Sequence, residues 1–317
     1  MVPSISVIIP MYNAENRIGR LIESIYNQEG VSQDDYEVIA IDNMSTDNTV
    51  KLLESLKKKY PLIVGSEKKR SSYAARNRGI MLARGRYLVF IDADCNPSKH
   101  WLRGYIDCIK KIESSGEKEF LIAGDIEVVV SSNRNIWEIY DKIHYLNQKI
   151  FVQKGFGATA NLLVTCGVFD QVGPFDSRFV SGGDSEFGKR ATEKFKIYFC
   201  PEAKVYHNAR STLRGLLRKS YRVGIGFSQQ RIKKTGRGIP WHELIRYLFP
   251  DIGFLRPEYF PKFVPQTQEE IPEDPIVRIK LLYIDQLVRI MQFLGRMYGN
   301  SHGLNIQKDI DERVRDF

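Results

Sequence analysis

Apolar residues fall first into short runs and then into helical stripes. Residues 5–9 (ISVII) read as a buried strand, and Ile18, Leu21, Ile22, Ile25 and Tyr26 then recur at helical spacing. Residues 36–41 form a second apolar run that closes at Asp42, and residues 45–49 offer capping side chains for a helix through Val50, Leu53 and Leu56 that stops before Pro61. A third strand over 62–65, a third helix over 73–83 and a fourth strand over 87–91 continue the alternation. Strands and helices alternating at this pace predict βαβ units and an α/β fold with a mostly parallel central sheet.

After Pro97 the pattern is mixed. It predicts helix over 101–112, strand over 120–130, helix over 136–148, strand over 160–164, a helix from about Asp184 and a strand near 197–199. Beyond Gly236 the chain turns Pro-rich (Pro240, Pro250, Pro257, Pro261, Pro265, Pro272, Pro275), which places a boundary there. The expected division is a domain over 1–235, with halves 1–97 and 98–235, and a helical extension over 236–317.

The fourth strand delivers chemistry. Open α/β sheets bind ligands outside the carboxyl ends of their strands, and there the run YLVFI ends in Asp92-Ala93-Asp94. Two carboxylates two positions apart suit a hard divalent cation, Mn2+ or Mg2+, that keeps other positions for substrate oxygen. Exposed acids at a loop start carry no such meaning by themselves.

Composition adds less. The 317 residues are 43% hydrophobic and 27% charged, ordinary for a globular chain. The net charge of +9 is local, because residues 203–242 hold ten Lys and Arg and no acid. An anion is expected on that stretch. The cysteines Cys95, Cys108, Cys166 and Cys200 form no CxxC pair, so neither a zinc ribbon nor a disulfide is expected and a reducing cytoplasm fits. The N-terminus lacks signal-peptide character, and no apolar stretch approaches the roughly 20 residues of a membrane span.

Over about residues 4–225 the chain resembles family 2 glycosyltransferases, inverting enzymes of the GT-A fold. The resemblance rests on "SVIIPMYNAE", "VIAIDNMSTDNT", "YAARNRGIMLARGRYLVFIDADC" and "GGDSEFGKRA" followed by "FCPEAKVYH", in the family's order. It implies that Pro10 and Tyr12 line a base pocket and that Asp42 accepts a hydrogen bond from the base. Where the family usually has a second acid and then glycine, this chain has Asn43 and Met44. Arg76 or Arg78 would meet the diphosphate and Asn77 would position it; Asp92 would face the ribose and metal, and Asp94 would be the direct metal ligand. Asp184 would be the base that deprotonates the acceptor hydroxyl, with Glu186 in reserve, although a helix N-cap is also open to Asp184. His207 falls where some relatives place a histidine that approaches the metal or the diphosphate, and Asn161 is expected to contact the acceptor. Ser45 and Asp47 read as capping residues and Trp101 as core.

Arg210, Arg214, Arg218 and Arg222 share one face of a helix. That face, Arg214, Arg218 and Arg222 above all, would hold the donor diphosphate or an anionic lipid. Near the end, Val277, Leu281, Ile284, Val288 and Met291 form one stripe of an amphipathic helix, which could meet a membrane interface, a second copy or its own domain.

The sum is a metal-dependent inverting glycosyltransferase that moves a sugar from a UDP or dTDP donor to a hydroxyl, with a lipid-linked saccharide as one expected acceptor. It would serve polysaccharide or glycolipid synthesis in the cytoplasm or on the cytoplasmic face of the membrane. A non-catalytic scaffold and an anion- or nucleic-acid-binding protein are the rivals. The nucleic-acid reading calls for aromatics among the arginines and leaves the Asp92, Asp94 and Asp184 motifs unexplained, so no nucleic-acid partner is expected.

Overall fold

The computed structural model describes residues 4–144, 146–249 and 274–304. The first half follows the alternation of its sequence: β1 (Ile5–Met11), α1 (Ile18–Tyr26), β2 (Tyr36–Asp42), α2 (Thr49–Lys59), β3 (Leu62–Ser66), α3 (Ser72–Leu82) and β4 (Tyr87–Ile91). β5 (Cys95–Pro97), α4 (Trp101–Glu113), β6 (Phe120–Val129), α5 (Ile136–His144), α6 (Gln148–Gln153), β7 (Asn161–Thr165), α7 (Cys166–Val172), α8 (Gly183–Thr192) and β8 (Lys196–Asn208) follow. The helix expected over 136–148 is thus two helices, and β5 and α7 are too short to leave a periodic trace.

Among the described residues the eight strands form one sheet in the order β3-β2-β1-β4-β7-β6-β8-β5. It is parallel across β3, β2, β1 and β4 and turns antiparallel at β4–β7, so the sheet is mixed. The parallel strands are apolar on both faces because helices cover both: Ile5, Val7, Ile8 and Ile9 of β1 are all buried.

The chain groups into two compact units. One takes in the chain through Glu127, Leu146–Ser177 and Gly183–His207; the other takes in the segment beginning at Val128, Arg178–Gly182 and the chain from Asn208. The grouping does not follow the expected boundary at 235. The Pro-rich stretch on which that boundary rests lies mostly outside the described residues, from residue 250 to 273.

The second unit is helical, with α5, α9 (Leu213–Thr235), α10 (Trp241–Leu244) and α11 (Pro275–His302). The apolar stripe of α11 is not free for a membrane: Leu281, Ile284, Val288 and Met291 are buried, with Tyr140 of α5 and Leu216, Tyr221 and Ile225 of α9 as neighbours in the same clusters. Glycines let α9 and α11 approach. A Cβ on Gly295 would strike the Tyr221 carbonyl oxygen, and one on Gly299 would stand 2.7 Å from the Ser228 Cβ. Part of the expected anion face is also taken up internally, since buried Asp141 accepts from Arg210 at 3.1 Å and from Lys219 at 3.0 Å. Arg214 and Arg222 are exposed on α9 and Arg218 is half-buried.

A second departure concerns the cysteines. Cys108 of α4 and Cys200 of β8, 92 residues apart, are bonded as a disulfide; the fold brings together what the spacing keeps apart. No helix among the described residues is long and apolar enough to cross a membrane.

Candidate functional site

The candidate site lies in the first unit, at the carboxyl ends of β1, β2 and β4. Met11 and Asp42 are register partners there, and Asp92 and Asp94 follow directly from β4. The carboxylate of Asp42 accepts from the Ser45 backbone N–H at 3.3 Å. Tyr12 stands exposed at the end of β1, with the Arg70 guanidinium bonded to its hydroxyl and lying 4.5 Å from its ring centre. Pro10 is half-buried beside it.

The loop between β2 and α2 is braced by polar side chains. Ser45 Oγ accepts from Asn13 N–H at 3.0 Å, while Asp47 accepts from the Glu15 and Thr49 N–H groups. Asp47 and Ser45 are expected to cap α2, but its N-cap is Asn48, without a side-chain capping bond; Asp47 instead braces the turn before the helix, and Ser45 ties that turn to the loop after β1.

Of the residues expected at the donor, Asn43 and Asn77 bond to backbone of the fold and Arg76 bonds to Asp92. Asn43 is 4% exposed, donates both amide hydrogens to the carbonyls of Glu67 and Lys69 at 2.9 and 2.8 Å, and accepts from Ser71 N–H at 2.9 Å. It fastens the loop that leads into α3. Asn77 clamps the Phe175 backbone, donating to its carbonyl at 2.8 Å and accepting from its N–H at 3.1 Å. Arg76 is buried, its guanidinium bonded to the Asp92 carboxylate and 5.5 Å from the Tyr73 ring centre, so it orients Asp92.

Asp184 opens α8 in the first helical turn, after Gly183. The Gly183 N–H donates to the Tyr73 hydroxyl at 2.9 Å, and a Cβ there would stand 2.8 Å from the Tyr73 ring; only glycine lets the helix start lie against Tyr73. Asp184 is half-buried, and loss of hydration pushes its carboxyl above the usual carboxylate range; the Asp92 charge adds to the rise, while Arg76 and the Ser185 N–H oppose it. A raised proton affinity suits this carboxyl to taking a proton. Glu186 is instead held by Arg190 at 3.0 Å, and Arg190 also donates to the carbonyls of Val172, Gly173 and Pro174. The reserve base is part of a structural tie.

The expected metal residues meet in the same unit. His207 Nε2 lies 3.3 Å from Asp94 Oδ2, and His207 is 3% exposed while a third of the Asp94 side chain is open. Arg17, which precedes α1, reaches to 3.9 Å from the same Asp94 oxygen. The donor atoms of Asp94, Cys95 and His207 all lie within 4.8 Å of one another, an oxygen, sulfur and nitrogen set that a divalent ion fits.

Asn161, expected at the acceptor, is fully buried. Its oxygen accepts from Trp101 Nε1 at 2.8 Å and the Tyr105 hydroxyl at 2.7 Å, and its amide donates to the Asp125 and Ala203 carbonyls. It knits β7, α4 and β8 together, and Trp101 is core as expected. Sequence reasoning misses Tyr73, Arg70 and Cys95; the cationic run Lys68-Lys69-Arg70 before α3, and the cysteine directly after Asp94, are the signals that could have found the last two.

Residues 6–172 match the profile of the family described as glycosyl transferase family 2. Glycosyltransferase AglE of Haloferax volcanii is 31% identical over 301 residues, covering 93% of this chain and 95% of that protein. A Methanococcus voltae protein named dolichyl N-acetyl-alpha-D-glucosaminyl phosphate 3-beta-D-2,3-diacetamido-2,3-dideoxy-beta-D-glucuronosyltransferase is 27% identical over 268 residues, 79% of this chain and 78% of its own. Among solved structures, mannosyltransferase PcManGT from Pyrobaculum calidifontis, in complex with GDP-Man and Mn2+, superposes with a TM-score of 0.60 at 16% identity, covering 94% of this chain and 88% of that one.

Proposed function

The chain belongs to glycosyltransferase family 2 with the GT-A fold, and from that membership we propose that it transfers a sugar, with inversion, from a nucleotide diphosphate donor to a hydroxyl on a lipid-linked saccharide. The observation that carries this reading is that one unit holds Asp184, a carboxyl of raised proton affinity that feels the charges of Arg76 and Asp92, together with the Arg76–Asp92 and Asp94–His207 pairs.

Inversion requires a carboxylate that removes the acceptor proton while the hydroxyl attacks the anomeric carbon from the side opposite the leaving diphosphate. Asp184 takes that proton on a carboxylate oxygen. Partial burial keeps water from competing for it, and Tyr73 and Gly183 fix the start of α8 that carries it. Pro10, Tyr12 and Asp42 receive the base; an acceptor-only carboxylate at Asp42 suits the N3–H of uracil or thymine, so the donor is read as UDP- or dTDP-linked. Asp92, oriented by Arg76, faces the ribose. Asp94 and His207 would hold a divalent ion, Mn2+ or Mg2+, which when bound offsets the charge growing on the departing diphosphate.

The name of the Methanococcus relative supports the lipid-linked acceptor, and such an acceptor calls for a site peripheral to the cytoplasmic face of a membrane. Exposed Arg214 and Arg222 of α9 suit anionic headgroups there.

The test is Asp184→Asn against Asp94→Ala. At a nucleotide concentration about 100 times its dissociation constant, ligand linkage raises stability by about 2.7 kcal/mol. Asp184→Asn should keep the metal-dependent rise with UDP or dTDP and lose transfer, whereas Asp94→Ala should lose the rise itself. Full transfer by Asp184→Asn would move the base elsewhere.

A further inference from the structure

The ligand set at Asp94 and His207 has a member the family reading does not use. Cys95 opens β5 and is the register partner of His207 in the antiparallel β5–β8 pair, so the two side chains leave the ladder on the same face. The Cys95 N–H donates to the Asp92 carbonyl at 3.0 Å, which closes the turn through Ala93 and Asp94 and turns the Asp94 carboxylate back towards the strand pair. The result is the convergence of Asp94 oxygen, Cys95 sulfur and His207 nitrogen within 4.8 Å, with Cys95 and His207 both buried. Of the three, Asp94 is the most exposed and the most able to rotate onto an ion.

We propose that Cys95 is the third protein donor to the ion held by Asp94 and His207, and that its sulfur turns the site away from Mg2+ and towards thiophilic divalent ions such as Co2+ and Zn2+. Two hard oxygens from an Asp-x-Asp motif would serve Mg2+ well; one oxygen, one imidazole nitrogen and one thiolate match the borderline ions instead. On binding, the Sγ–H bond breaks as the Sγ–metal bond forms, and the proton leaves to solvent. The competing account is that Cys95 is a small apolar filler beneath the site, the commonest use of a buried free cysteine. This inference rests on the metal site of the proposed function and extends it to a residue that function does not need.

Co2+ is the probe, because a thiolate ligand gives a near-ultraviolet sulfur-to-cobalt charge-transfer band that oxygen and nitrogen ligands do not. The full chain carrying Cys166→Ser, which removes the exposed free thiol, is titrated with Co2+ alone and then challenged with excess Mg2+. The expected result is a charge-transfer band that Mg2+ does not abolish. In Cys95→Ser the band should disappear and the Co2+ dissociation constant should rise at least about tenfold, since loss of even an outer-shell partner costs about 10–100-fold.

Cobalt bound without that band, and with equal affinity in both proteins, would overturn the role of Cys95 and leave the Asp94–His207 site standing. No binding of Co2+ or Mn2+ to either would overturn the metal site as well. If Cys95→Ser does not fold, cobalt X-ray absorption on the Cys166→Ser protein reads the same question, as a Co–S shell present or absent.

Discussion

Arg76, 3% exposed, is bonded to Asp92, whose side chain is a third exposed. An arginine from α3 therefore sets the direction of the first motif carboxylate from below the sheet rim, with the Tyr73 ring against its guanidinium. Removing it leaves a carboxylate without its partner. A fully buried pair broken in this way loses about 3–5 kcal/mol, but Asp92 can still reach water, so Arg76→Ala should lower stability by about 2–3 kcal/mol in urea unfolding. Arg76→Lys keeps the charge without the planar fork and should recover less than half of the loss. A loss under about 0.5 kcal/mol for Arg76→Ala would mean that the pair does not hold Asp92 in place.

Asp184 makes a pH prediction whose sign follows from the direction of its shift. Burial raises its folded-state pKa above the unfolded value, so its contribution to stability is fully present below the unfolded pKa, about 3.9, and is lost as pH rises through the folded pKa. Asp184→Asn is neutral throughout and escapes that loss. The melting temperature of Asp184→Asn relative to the parent should therefore be higher at about pH 8 than at about pH 4, while transfer by the parent should rise with pH through a pKa above the ordinary carboxylate range. A stability difference independent of pH would show that the carboxyl is not perturbed.

What the sequence disclosed and what it withheld divide along physical lines. The strands and helices through Ile91 are legible because burial on both faces of a parallel sheet is written as local apolar runs, and the rim acids are legible because a strand end is a position in the chain. Long-range assignments are not. The amide of Asn43 meets carbonyls 24 and 26 residues away, and Cys108 meets Cys200 across 92 residues; neither pairing has a periodic signature. The stripe on α11 is legible as a stripe, but whether lipid, a second copy or α9 covers it depends on how Gly295 and Gly299 of α11 meet the backbone and side chains of α9.

The family resemblance implies an acid at the position of Asn43, which makes Asn43→Asp look conservative. Its bonds say otherwise. Both amide hydrogens point at carbonyl oxygens, and a carboxylate would face those two acceptors with no hydrogen to offer. Two lost hydrogen bonds and a buried like-polarity contact should cost about 2–4 kcal/mol, visible as a lower urea midpoint with an unchanged slope. A neutral outcome would require the loop from Glu67 to Ser71 to be held by something other than Asn43.

The next residue tests backbone strain. Met44 has φ +65°, in the left-handed region that favours glycine. A side chain in that region costs about 1–2 kcal/mol, and glycine returns part of the gain through its freer unfolded chain. Met44→Gly should be stabilising by about 0.5–1 kcal/mol by thermal unfolding; destabilisation would mean that the half-exposed Met44 side chain packs more than it strains.

Two glycines within helices separate helix propensity from packing, because they should respond to alanine with opposite signs. Gly19 lies in α1 with open space where a Cβ would stand, so Gly19→Ala should gain most of the intrinsic helix preference, about 0.5–1 kcal/mol. Gly295 lies in α11, and its Cβ would meet the Tyr221 carbonyl oxygen and, at 3.1 Å, the Ile225 nitrogen. Both obstacles are backbone of α9 and cannot rotate aside. Gly295→Ala has the same propensity gain to offset an overpacking cost of about 1–3 kcal/mol, and the two helices must part where Ser228 Oγ donates to the Arg296 carbonyl at 2.8 Å. A net loss of about 1–2 kcal/mol follows, read in the same unfolding assay as the Gly19 gain. If Gly295→Ala stabilised the protein as Gly19→Ala does, the close approach of α9 and α11 would not be what covers the apolar stripe of the last helix.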